Sequence, residues 1–131
     1  MNKTLINAET AKYNEGRVKV SVTLKPPASC KADLLALEEA GYEIDTVLRA
    51  ALRKIGTLEI TKHFSPHDPD NDWPDHRIQV TRGVPRSTLE AIRADANDIG
   101  VLSNAALVRG QIQPIWVKTL ETFITNLKKR L

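Results

Sequence analysis

Arg17-Val18-Lys19-Val20-Ser21-Val22-Thr23-Leu24 alternates strictly, with valines at 18, 20 and 22 on one side and Arg17, Lys19, Ser21 and Thr23 on the other. A period of two built on β-branched residues marks a strand with one dry face and one wet face. Lys25-Pro26-Pro27 ends it, because proline cannot donate to a ladder. Later in the chain His76-Arg77-Ile78-Gln79-Val80-Thr81-Arg82 alternates again, and Val84-Pro85 stops it. A lone short strand has unpaired edges and little area to bury. The two segments are therefore expected to pair antiparallel into a ribbon, with Val18, Val20, Val22, Ile78 and Val80 resting on helices.

Each strand is followed by helical text. Ser29 is placed to cap a helix from about Cys30 to Ala40 with Leu34, Leu35 and Leu37 apolar, and Gly41 can end it in a left-handed conformation. Ile44, Val47, Leu48, Ala51, Leu52 and Ile55 then recur at helical spacing. In the second half Ser87-Thr88-Leu89-Glu90 matches a capping box, opening a helix that carries Leu89, Ile92, Ala96 and Ile99 inward and ends near Gly100. Another helix begins at Ser103 with Leu102, Ala105 and Ala106 apolar. Strand, helix, helix thus occurs twice, with the spacing drifting in the final helix.

The remaining stretches frame these repeats. Residues 1–16 lack periodicity and read as a flexible arm; 17–60 form repeat one; 61–75, with Ser65-Pro66-His67-Asp68-Pro69-Asp70-Asn71-Asp72-Trp73-Pro74, form a solvated connector that Trp73 is expected to pack onto the helices; 76–113 form repeat two. Pro114 is expected to kink or restart the chain into a C-terminal helical extension over 114–131, striped by Trp116, Leu120, Phe123, Ile124, Leu127 and Leu131. Lys128, Lys129 and Arg130 suit a helix C-terminus.

With 41% hydrophobic and 27% charged residues in 131, the chain has the balance of one folded domain rather than a disordered or fibrous polymer. Cys30 is the single cysteine, so no internal disulfide can form; Met1-Asn2-Lys3-Thr4-Leu5 lacks the apolar core of a secretory leader. A cytoplasmic location is therefore expected. No apolar run approaches the roughly 20 residues that span a bilayer, so membrane insertion is not expected.

A net charge of +3 favours polyanionic partners weakly; its distribution says more. The ribbon's wet face would present Arg17, Lys19, Ser21, Thr23, Arg77, Gln79 and Thr81. A single solvated strand shows such residues routinely, but two matching strands make a polar ridge narrow enough for the major groove of duplex DNA. There Arg and Lys donate to guanine, Gln pairs with adenine, and Ser or Thr bonds either. The helices that begin after Gly41 and Gly100 would hold phosphates beside the ribbon, at Tyr42, Glu43, Val101 and Ser103.

Arg17 through Pro27, Gly41 through Leu52 and His76 through Arg93 resemble ribbon-helix-helix repeats. More narrowly, their order is similar to the tandem-repeat accessory family of the agrobacterial VirC operon, over residues 17 to about 112. The resemblance implies a mainly α fold with a short two-stranded antiparallel ribbon, a tandem ribbon-helix-helix pseudo-dimer in one chain, monomeric as such. It implies sequence-specific binding of double-stranded DNA as an accessory to conjugative or T-DNA-like plasmid transfer, with a relaxase or other DNA-transfer proteins as partners. A ribbon-helix-helix transcriptional repressor is the alternative within the fold. An interaction adaptor of antitoxin type, with its C-terminal stripe in a partner's groove, is the alternative outside it.

Other chemistries find little support. His63, His67, Asp68, Asp70, Asp72 and His76 are the one cluster of potential metal ligands, but Trp73 stands where a calcium loop needs glycine and Gln79 where it needs a bidentate Glu. Cys30 lacks the His or Asn pattern of a nucleophile. No enzymatic activity, metal or cofactor is expected.

Overall fold

The computed structural model describes residues 16–131. The arm expected over 1–16 lies outside the described residues except for Gly16, whose carbonyl accepts a 2.8 Å hydrogen bond from the Arg86 N–H.

Among the described residues the fold is mainly helical, with four helices and one two-stranded antiparallel sheet. Strand β1 (Arg17–Leu24) pairs with β2 (Ile78–Pro85) from Arg17 opposite Pro85 to Leu24 opposite Ile78. The second strand thus takes in Val84 and Pro85, the pair expected to stop it, because Pro85 sits at the terminal pair, where a missing N–H costs least. Val20, Val22, Leu24, Ile78, Val80 and Val84 are buried on the inner face. Each contributes roughly 1.5–3 kcal/mol by leaving water. Arg82 breaks the alternation: opposite Val20, it stays exposed and its guanidinium turns back to the Thr81 carbonyl at 3.1 Å.

After β1, the prolines lead into a short 3₁₀ turn (Ala28–Cys30) and then α1 (Lys31–Glu39). The helix is capped at Cys30 rather than Ser29, which lies within the turn, and no side chain makes the cap. Gly41 adopts φ +103°, its N–H bonding the Glu38 carbonyl while the Tyr42 N–H bonds Leu37, both at 3.0 Å. This pair of bonds is a Schellman closure and needs the left-handed residue that glycine supplies without strain. Helix α2 (Ile44–Lys54) buries Ile44, Val47, Leu48 and Ala51, as their spacing requires.

The second half departs from expectation at three points. Helix α3 (Arg86–Ala96) follows β2 directly, which puts Ser87 inside the first turn, so the capping box at Ser87 and Glu90 does not form. It ends at Asn97, in the left-handed region at φ 51°, before reaching Gly100. Ile99, expected inward, is consequently 94% exposed on the turn. The Asp98 carboxylate organises that turn, accepting from the Gly100 and Leu102 N–H groups at 3.1 and 3.0 Å and from Arg93 at 2.7 Å.

Helix α4 (Asn104–Lys128) joins the expected repeat two to the expected extension without a break. Pro114 lies on its exposed side, where it forfeits one intrahelical bond. Burial of Leu107, Val108, Ile112, Trp116, Leu120 and Ile124 along the other side keeps the helix continuous. Trp116 is wholly buried and its indole N–H donates to the Leu48 carbonyl of α2 at 3.2 Å. The C-terminal stripe, apart from the exposed Leu131, therefore packs into this chain's own core.

Most of the connector over 61–75 is exposed, and it is tied down as a strap on α3 and α4. Gln111 accepts from the Thr61 N–H at 2.7 Å and donates to the Thr61 and His63 carbonyls, while the Phe64 N–H bonds Asp95 at 2.7 Å. Gly110 meets the strap so closely that a methyl group there would collide with the Ser65 carbonyl. A 3₁₀ turn (Pro69–Asn71) follows, and Trp73, buried, donates its backbone N–H to Pro26 at 2.8 Å.

Candidate nucleic-acid interface

The two strands meet about a common centre. Ser21 Oγ and Thr81 Oγ1 share a 2.8 Å hydrogen bond across the ribbon, and these residues are 60 positions apart. Ile44 and Asn104, the first residues of α2 and α4, are separated by the same interval. The drift between the halves therefore lies not in the final helix but at the first helices: Lys25–Cys30 precedes α1 whereas nothing intervenes before α3, and the longer turn before α4 restores the interval.

Around that centre Lys19 faces Gly83, Thr23 faces Gln79 and Arg17 faces Pro85. Arg17 lies across Gly83, donating to its carbonyl at 3.3 Å. Arg17, Lys19, Ser21, Gln79 and Thr81 are exposed and Thr23 is half-buried, so among the described residues most of the wet face is open, with Phe64, Pro66 and His67 bordering a pocket beside Ser21 and Thr23. Neither strand contains an acidic residue. Adjacent strands lie about 5 Å apart, well inside the roughly 12 Å of a major groove.

Arg77 is placed differently from the other six expected base readers. It precedes the paired register and lines, with Thr23, Arg49, Ile78 and Gln79, a polar cleft of about 480 Å³ at the end of the ribbon. The start of α2 is tied to the same end by Asp45, whose carboxylate is 3.1 Å from His76 Nδ1. Arg49 escaped sequence reasoning because it lies off the apolar stripe of α2 and reads there as ordinary helix surface.

The expected phosphate positions need correction. The Tyr42 N–H is spent on Leu37, and the Val101 N–H on the Asp98 carbonyl at 3.2 Å. An amide so engaged cannot also hold a phosphate. Glu43 sets a carboxylate at the start of α2, bonded by the Thr46 hydroxyl at 3.2 Å. Ser103 caps α4, accepting from the Ala106 N–H at 3.1 Å, and no acidic side chain stands in that first turn. Helix geometry leaves the first-turn amides as donors.

The histidine and aspartate cluster disperses. His67 and Arg109 both engage Asp72, at 2.9 and 3.2 Å, His76 turns to Asp45, and Asp68 accepts from the Asp70 N–H. Among the described residues no three such side chains converge as metal ligands would. Trp73 is enclosed between the Lys31 ammonium and the His76 ring, a packing role. Burial, with help from nearby Glu121, pushes the Cys30 thiol up, away from the reactive thiolate.

No family model, curated protein or solved structure matches the chain. No helix among the described residues is long and apolar enough to cross a membrane.

Proposed function

We propose that the protein is a tandem ribbon-helix-helix unit that binds double-stranded DNA, laying β1 and β2 together in the major groove. The observation that carries this reading is the open, acid-free face centred on Ser21 and Thr81, built from two distant segments of one chain. Lys19 and Gln79, at the 60-residue interval, supply a donor suited to guanine and an amide suited to adenine. Arg17, Ser21, Thr23 and Thr81 complete the reading surface. Cationic side chains at its margins draw the duplex by releasing counterions.

The test is selection from a random duplex pool, followed by titration of the recovered sequence at several salt concentrations. A specific site whose affinity falls steeply with salt supports the reading; a chain that retains no duplex overturns it. The resemblance noted above makes an accessory role in DNA transfer the finer proposal. Mapping the recovered sequence on its replicon separates that role, with a site beside a transfer origin, from repression, with a site in a promoter.

A further inference from the structure

We infer that Arg49 and Arg77 form a binding cleft for one backbone phosphodiester of the duplex, at the end of the ribbon where Thr23 faces Gln79. The inference rests on the ribbon reading, since it is the groove-seated ribbon that brings a phosphate strand past this end.

Two guanidinium groups line one cleft, and no carboxylate does. Each brings a cationic fork to the cleft, so an anion seated there would be attracted by both. Neither forms an ion pair or hydrogen bond with a described residue. The nearest acid in sequence on α2, Asp45, is turned to His76 instead.

Arg109 stands 60 residues after Arg49, at the corresponding place in α4, and there the connector supplies the anion: Asp72, almost wholly covered, pairs with Arg109 at 3.2 Å. The same position in the two halves is thus satisfied from within on one side and left unsatisfied on the other. An arginine fork matches the paired oxygens of a phosphate in geometry as well as charge. Gln79 borders both the cleft and the reading face, so a phosphate held here fixes the register of the bases Gln79 meets.

The experiment compares parent, Arg49→Gln, Arg77→Gln and Lys19→Ala on the selected duplex and on copies carrying a neutral methylphosphonate at each backbone position in turn. Both arginine variants are exposed and should keep the parent's melting temperature. Each is expected to bind every duplex about tenfold more weakly and to reduce the logarithmic salt slope by about one. One methylphosphonate position should weaken the parent to the same extent and leave Arg49→Gln unchanged. Parental affinity and slope in both arginine variants would overturn the cleft while a loss in Lys19→Ala upholds the ribbon. Failure of the parent to bind any duplex would remove both. Competition by millimolar inorganic phosphate that Arg49→Gln abolishes, with no sensitive backbone position, would reassign the cleft to a free anion and overturn the duplex placement.

Discussion

Ser21 and Thr81 face each other at the middle of the ribbon with their hydroxyl oxygens 2.8 Å apart. They mark a centre about which the two strands pair alike but differ at outward positions on either side. Lys19 is answered at the 60-residue interval by Gln79, and Thr23 by Gly83, which has no side chain to offer a base.

A recognised site should therefore not be palindromic. Duplexes that repeat either half-site symmetrically are expected to bind at least about tenfold more weakly than the selected sequence. Gln79→Ala should relax preference on one side of the centre only, at a cost of roughly 1–3 kcal/mol for the affected base pair. Equal affinity for a palindrome would contradict this asymmetry.

Lys19→Ala should lower duplex affinity about tenfold with no change in thermal stability, because Lys19 is exposed. Fluorescence anisotropy and a melting curve on the same preparation decide it.

Trp116→Ala is expected to destabilise the fold by about 3–5 kcal/mol, since it empties a wholly buried site and leaves Leu48 without the indole donor. Ending the chain before Pro114 should abolish cooperative unfolding in urea. Retention of a sharp transition would restore the C-terminal stripe as a separable partner surface.

Asp98 makes a pH-dependent contribution. Its burial works to raise the carboxyl, but the N–H groups of Gly100 and Leu102 and the Arg93 guanidinium outweigh it and hold the group below the ordinary carboxylate range. A depressed carboxyl stabilises the fold above its unfolded value, about 3.9, and loses that effect as pH falls through the folded one. The melting temperature of Asp98→Asn should accordingly lie below the parent's at neutral pH and converge with it in strong acid.

Gly110→Ala should loosen the connector, because the Ser65 carbonyl occupies the space of the added methyl. Faster proteolysis between Thr61 and Trp73, with lowered stability, is the expected result.

The features legible in the sequence were those set by local periodicity: the two strands, the apolar face of α2, and the turn at Gly41, where the backbone itself demands glycine. Those that escaped depend on distant residues. A capping box at Ser87 presupposes a loop that β2 does not leave room for, and Asn97 takes the left-handed position before Gly100 can. Pro114 reads as a breaker until burial on both sides of it is counted. The polar, proline-rich text of 61–75 gives no sign of the strap, whose hold comes from Gln111, Asp95 and Arg109 on other elements. Of the interface, the outward residues of both strands were legible, whereas the cleft at Arg49 required knowing which ribbon end α2 approaches.

Because β1 and β2 belong to one polypeptide, assembly of their shared surface is a first-order event. A ribbon made from two separate molecules disappears with the square of dilution, but this one persists in a cell that holds only a few copies. It also frees each half to change its side chains without imposing the same change on the other, a liberty that no pair of identical subunits possesses.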